Sequence, residues 1–234
     1  MGGDSASGDR RKPIRSYVLR QGRLTDAQAH ALEEFWPRYG IDEGDALIDC
    51  PALFGRDAPL VLEIGFGNGA ATWRMAQAEP EKNFIGVEVH QPGVGRLLRA
   101  LEDRGIGNVR IACTDAVPLL RDRLDRNSLS ELRIYFPDPW PKKRHHKRRI
   151  IQAEFLNLAA ARLEEGGLLH LATDWANYAE HMLELLSVHP GFRNLSPAGD
   201  WCERPSWRPM TKYEQRGGRL GHRSFDLLFH RAGV

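Results

Sequence analysis

"LVLEIGFGNGA" occupies Leu60–Ala70. Its first five residues are apolar except for Glu63, and glycines follow at 65, 67 and 69 before an alanine-rich stretch begins. This reads as a buried strand that ends in a glycine turn and opens a helix. Glycine at those positions permits positive φ and close approach of the backbone to a ligand. In folds built from such units the ligand lies beyond the carboxyl ends of the strands. The stretch also satisfies G-x-G-x-x-A, so a nicotinamide dinucleotide is one candidate ligand. There is no Gly-Lys-Ser/Thr in the chain, which excludes a P-loop.

The pattern repeats on both sides of this stretch. Short apolar runs at Leu60–Ile64, Phe84–Val89, Val109–Ala112, Leu132–Phe136 and Leu168–Ala172 alternate with helix-like segments at 69–78, 91–104, 116–124, 150–163 and 175–188. Strand–helix alternation predicts a parallel sheet covered on both faces. Thr25-Asp26-Ala27-Gln28 has the form of a capping box and starts an earlier helix. Gly166-Gly167 and Pro190-Gly191 read as helix ends. A last strand is expected at Ser224–His230, after an irregular stretch from Leu195 to Arg223. Residues 1–24 read as a flexible basic tail and 25–234 as one domain.

Composition narrows the class. The chain of 234 residues suits one α/β domain. No apolar stretch approaches the ~18 residues of a membrane span. Cys50, Cys113 and Cys202 are scattered and odd in number, which argues against a disulfide framework or a zinc site and for a reducing, cytoplasmic setting. Net charge is only +2, but basic residues are clumped at Arg10–Arg23 and at Lys142–Arg149. Clumped cations on a near-neutral chain suit a polyanionic partner.

Acids mark the expected ligand edge. Glu88 ends one strand, where a carboxylate can accept hydrogen bonds from ribose hydroxyls, and Asp115 follows the next, beside where an adenine would lie. Glu63, with Gly65, Gly67 and Gly69 just after it, would favour a cationic cofactor such as S-adenosylmethionine over a phosphate-rich one. "RIYFPDPWP" (Arg133–Pro141) ends a further strand. Prolines on both sides of Asp138 restrict its backbone, so the turn presents one carboxylate rigidly. Tyr135, Phe136 and Trp140 offer flat surfaces for a base. The run Lys142, Lys143, Arg144, His145, His146, Lys147, Arg148 and Arg149 follows at once, and cations there fit phosphate contacts. Adjacent His145 and His146 do not converge on one ion, so no metal is expected. Asp174 ends another strand, as an edge carboxylate or a helix cap. Thr211, Lys212, Tyr213 and Glu214 lie in a polar glycine-rich stretch, able to grip a base or ribose.

"LEIGFGNG", "IGVEVH", "YFPDPWPKKRHHKRR", "ATDW" and "TKYEQRGGRLGH" together resemble the bacterial tRNA (guanine-N7)-methyltransferases, over most of residues 60–222. Asn68 and Pro141 depart from the family pattern without removing a functional group. The resemblance implies a Rossmann-like class I methyltransferase fold, with a mostly parallel seven-stranded sheet whose last strand is antiparallel. It implies methyl transfer from S-adenosylmethionine to N7 of a guanosine in the tRNA variable loop, with no obligate protein partner. By motif, Glu63, Glu88 and Asp115 would bind the cofactor. Asp138 would contact cofactor and substrate. Lys142, Asp174 and Thr211 to Glu214 would contact the guanosine, and Arg144 to Arg149 the tRNA. The residues by themselves leave three alternatives: a nicotinamide-dependent oxidoreductase, a non-catalytic RNA-binding protein, and a methyltransferase of another substrate.

Overall fold

The computed structural model describes residues 16–17, 22–211, 214 and 223–233. The rest of the expected N-terminal tail, and Lys212 and Tyr213, lie outside the described residues. Thr25 begins helix α1 (Asp26–Tyr39) through a complete capping box. Its hydroxyl accepts from the Gln28 amide at 3.3 Å, and the Gln28 side chain accepts from the Thr25 amide at 2.9 Å. Each of these bonds satisfies an amide that the first turn of a helix would otherwise orphan.

Eight strands form one sheet: β1 (Gly40–Ile41), β2 (Leu60–Ile64), β3 (Asn83–Val87), β4 (Val109–Ala112), β5 (Leu129–Tyr135), β6 (Leu163–Thr173), β7 (Phe192–Asn194) and β8 (Phe225–Arg231). Their order is β1-β4-β3-β2-β5-β6-β8-β7. Every pair from β1 to β6 is parallel, and β8 runs antiparallel to both β6 and β7. The expectation of a mostly parallel sheet with the last strand reversed is met, and the strand count is eight, not seven. The strands that escaped the apolar-run reading, β1 and β7, are two and three residues long and sit at the sheet's edges.

One expected helix end is corrected. Helix α6 (Ala153–Arg162) stops before Gly166-Gly167, and both glycines lie inside β6. There the pairing jumps from Leu129↔Leu163 to Glu131↔Leu168, and Gly166 takes φ 75°. Residues looped out of a ladder need such a conformation, which glycine adopts without strain.

The strand alternation sends side chains to two cores. Leu60, Leu62 and Ile64 pack with α6 and with α7 (Ala176–Val188), while Val61 faces Met75 of α3 (Ala70–Ala78) and Leu97, Leu98 and Leu101 of α4 (Gln91–Arg104). Each fully buried leucine is worth about 1.5–3 kcal/mol in transfer terms. Helix α1 covers α4, where the Gln28 side chain donates to the Pro92 carbonyl at 3.1 Å. The chain runs outward from β2 to β3 and β4, then returns to β5 on the other side. The crevice between β2 and β5 is therefore the topological switch point where such sheets bind ligands.

Candidate active site

The glycine turn opens this crevice. Gly65, Gly67 and Gly69 take φ of 76°, 60° and 71°, values that would strain any residue with a Cβ. A Cβ on Gly93 of α4 would lie 2.0 Å from the Gly67 carbonyl oxygen, so helix and loop touch backbone to backbone. Glu88 fixes the same loop from β3's end. Its Oε2 accepts from the Gly67 amide at 2.8 Å, and its Oε1 from the amides of Val89 and His90 at 2.8 and 3.0 Å. Asp115 accepts from the Val117 amide at 3.0 Å, so one of its oxygens caps the short helix α5 (Ala116–Pro118).

Glu63 differs from both. It is 3% exposed, and its Oε2 has no hydrogen-bond partner among the described residues. The adjacent Thr72 hydroxyl is likewise buried and makes no bond of ordinary geometry. Burial pushes the Glu63 carboxyl up to about 7, against the pull of Arg133, its register partner on β5. Arg133 is itself committed to Glu131 and Glu79, which Lys82 also joins. A buried carboxylate with a spare oxygen is a site for a cation that arrives with a ligand.

Beyond β5, Phe136 and Trp140 take φ of 51° and 46°, outliers for bulky residues, and between them stands the exposed Asp138. Strain of this kind persists only where surrounding contacts enforce it. Arg149 supplies several. It is 2% exposed, donates through Nε to the Pro139 carbonyl at 2.9 Å and through Nη2 to Asn177 of α7 at 2.9 Å, and its guanidinium lies 4.7 Å from the Tyr178 ring centre. Arg149 thus turns inward and braces the turn, unlike the rest of the run. Lys142, Lys143, Arg144, Lys147 and Arg148 remain exposed on and beside a 3-10 helix over Lys143–Arg148. Arg148 lies over the Trp140 ring at 5.0 Å, His145 meets the same ring edge-on at 5.9 Å, and His146 sits 3.1 Å from Arg149 Nη2. Incomplete solvation and the cations around it hold the His145 imidazole below its ordinary value.

Asp174 is exposed just past β6. It does not cap α7, whose N-cap position is Trp175 and carries no side-chain cap bond; the Trp175 amide donates to the Thr173 hydroxyl at 3.2 Å. Thr211 and Glu214 form a reciprocal pair: the Thr211 amide donates to Glu214 Oε2 at 2.9 Å, and the Glu214 amide to the Thr211 hydroxyl at 3.2 Å.

Sequence reading missed a buried network behind these residues. Arg208 donates to both carboxylate oxygens of Asp226, at 2.7 and 2.8 Å, and to Glu214 Oε1 at 2.8 Å. His170 Nε2 lies 2.8 Å from Asp226 Oδ1, and His170 Nδ1 lies 3.0 Å from the Tyr135 hydroxyl. Burial would raise the Asp226 carboxyl, but the hydrogen bonds from His170 and Arg208 outweigh it and hold the group low. Burial keeps the His170 imidazole below its ordinary value, so it is neutral at pH 7. A neutral ring facing a carboxylate carries its proton on Nε2 and accepts from Tyr135 at Nδ1. The only sequence signal was indirect: an Asp, a His and an Arg inside otherwise apolar or aromatic surroundings.

Two adjoining cavities result. One of about 310 Å³ is lined by Gly65, Glu88, Asp115, Phe136 and Asp138, together with Tyr17. The other, of about 590 Å³, is lined by Glu63, Gly65, Asn68, Phe136, Asp174 and Thr211. Gly65, Tyr135 and Phe136 belong to both. Five carboxylates from five successive strand ends thus converge on one edge: Glu63, Glu88, Asp115, Asp138 and Asp174. That donor set and the unpartnered Glu63 oxygen fit a cofactor with hydroxyls and positive charge. They do not fit a pyrophosphate. Among the described residues no cluster of three His, Cys, Asp or Glu is placed to hold a metal ion, and no helix is long and apolar enough to cross a membrane.

Comparison with known proteins agrees with this chemistry. A family model described as a putative methyltransferase matches residues 57–227. The tRNA (guanine-N(7)-)-methyltransferase of Aeromonas hydrophila subsp. hydrophila is 54% identical over 220 residues, covering 94% of this chain and 93% of its own. Its counterpart in Alcanivorax borkumensis is 50% identical over 228 residues, covering 97% and 95%. Among solved structures, an rRNA methylase from Streptococcus thermophilus matches with a TM-score of 0.50 at 15% identity, over 76% of this chain and 89% of that one, a likeness of fold alone.

Proposed function

The chain belongs to the tRNA (guanine-N(7)-)-methyltransferase family, and from that premise we propose that it methylates N7 of a guanosine in the variable loop of tRNA, with Asp138 at the active centre. The observation that carries this reading is the convergence of Glu63, Glu88, Asp115, Asp138 and Asp174 on the switch-point crevice. S-adenosylmethionine, when bound, supplies a methyl group on a positively charged sulfur. Glu88 and Asp115 suit its ribose hydroxyls and adenine, and Glu63 its cationic end.

The chemistry asks little of acid–base groups. Guanine N7 carries an in-plane lone pair and no proton, so no general base is required. Among the described residues the one buried histidine, His170, is occupied at both ring nitrogens. The chain's work is positioning, which can supply several of the ~7–11 kcal/mol open to well-aligned reactants. The guanine ring gains positive charge as N7 reacts, and a carboxylate beside it stabilises that charge. Asp138 takes this part, aided by Asp174, while Lys142 and Thr211 hold the guanosine and Glu214 fixes Thr211. The exposed cations Arg144, Lys147 and Arg148, with His145 and His146, meet the tRNA backbone. We read the enzyme as cytoplasmic and as acting without an obligate protein partner.

The test is to incubate the protein with labelled S-adenosylmethionine and unmodified tRNA, then treat the product with borohydride and aniline, which cleaves at N7-methylguanosine. Label with cleavage at one variable-loop site is expected. Label without cleavage would overturn the N7 assignment, and cleavage elsewhere the variable-loop site.

A further inference from the structure

Arg208 is 1% exposed, yet it contacts three separate parts of the chain beside the proposed guanosine site. On one side it holds Glu214. On another it holds both oxygens of Asp226, which pairs in register with Ala172, two residues before Asp174. Its guanidinium also lies 5.6 Å from the Tyr135 ring centre and 5.4 Å from that of Phe136, two residues before Asp138. One buried cation therefore joins Glu214, β8 beside the end of β6, and the end of β5.

The hydrogen bonds on Glu214 change what that residue can do. One carboxylate oxygen accepts from Arg208 and the other from the Thr211 amide. Its side chain is 4% exposed. Glu214 is thus engaged by protein on both oxygens and turned away from a base. Thr211 differs, because its hydroxyl oxygen accepts from the Glu214 amide and so keeps its own O–H proton to donate. Thr211 also lines the larger cavity with Asp174.

We propose that Arg208 is a positioning residue for the target guanosine: through Glu214 it fixes the Thr211 hydroxyl, and through Asp226 and Phe136 it sets that hydroxyl against the two edge carboxylates, Asp174 and Asp138. This rests on the reading of function above. The geometry requires arginine. Three donors in one plane serve two oxygens of Asp226 and one of Glu214, and a lysine ammonium cannot reproduce that fork. The remaining guanidinium nitrogen, Nη1, is buried and has no hydrogen-bond partner among the described residues.

Arg208→Lys and Glu214→Gln test it, alone and together. For each, kcat and KM are measured with unmodified tRNA, S-adenosylmethionine affinity by calorimetry, and Tm by thermal melting. Arg208→Lys is expected to lower kcat by about 30- to 100-fold, the scale of a misplacement near 1 Å. KM for tRNA, set by phosphate contacts, and cofactor affinity, set by Glu63 and Glu88, should move less than about threefold. The double variant should be no worse than the weaker single, because both act through one turn. A kcat within twofold of wild type overturns the role. So do additive losses, or a fall in cofactor affinity matching the fall in kcat. If Arg208→Lys fails to fold, Glu214→Gln, which leaves the Arg208–Asp226 pair intact, decides by the same criteria. Wild-type protein that does not methylate tRNA would defeat the reading of function instead.

Discussion

If Glu63 meets the cationic end of the cofactor, as proposed, cofactor binding depends on pH in a calculable way. The Glu63 carboxyl sits at about 7 in the folded protein against an ordinary 4.5, chiefly because it is buried, with the Thr72 hydroxyl and Arg133 opposing and Glu88 adding. The difference corresponds to about 3 kcal/mol against the ionised form. A cation brought by the ligand favours ionised Glu63, so binding selects that form. If only the ionised form binds, apparent Kd scales as 1 + 10^(pKa − pH), which gives about 11 at pH 6 and about 1.1 at pH 8. Affinity should rise about tenfold between those values. The ligand's own α-amino group titrates near ~7.7–8.0 and would tilt the raw curve. Glu63→Gln keeps the shape without the charge, so the ratio of wild-type to variant affinity isolates the Glu63 contribution. Calorimetry with S-adenosylmethionine at pH 6, 7 and 8 reads it. A ratio that stays flat would refute the reasoning. The stability of the ligand-free protein should move oppositely. A carboxyl whose folded pKa exceeds its unfolded one leaves stability intact below about 4.5, erodes it through the interval, and removes it fully above about 7. Glu63→Gln should abolish that slope in urea melts.

Three further outcomes follow from the geometry. Asp138→Ala should cut methylation at least ~100-fold, the scale of losing one preorganised electrostatic contact, with cofactor affinity changed far less; single-turnover rates check it. Neutralising Arg144 and Arg148 together should weaken tRNA binding and reduce the slope of log K against log salt by about 0.7–0.9 per lost phosphate contact; an unaltered slope in a salt titration would place the RNA elsewhere. Gly93→Ala drives a methyl group against the Gly67 carbonyl, so it should cost about 1–3 kcal/mol in denaturant melts and weaken cofactor binding at least tenfold.

Much of this site was legible in the sequence because carboxyl-edge residues follow directly from strand endings. Once Leu60–Ile64 and the later apolar runs are taken as parallel strands, Gly65, Glu88, Asp115, Asp138 and Asp174 must share one edge. What sequence could not give was the direction of side chains within a charge run. Arg149 and Arg148 are neighbours of one type, yet one is buried against Tyr178 and the other lies exposed over Trp140. Nor could spacing pair Arg208 with Asp226, or His170 with Tyr135, because one contact joins an irregular segment to a strand and the other joins two strands. The Gly166-Gly167 reading failed for a related reason. Glycines that release a bulge and glycines that end a helix have the same local signature, and only the partner strand tells them apart.

The placement of β8 bears on how the protein is made. It follows every other strand in the chain, yet it inserts between β6 and β7. The residues up to β6 can assemble a parallel sheet with its glycine loop and its Glu63, Glu88 and Asp115 while synthesis is still under way. Asp226 reaches the ribosome's exit after all of them, and until it docks Arg208 has, among the described residues, only Glu214 as a partner acid and His170 Nε2 lacks its Asp226 acceptor. The network of Asp226 with Arg208 and His170 is therefore the last part of the site to gain its final residue.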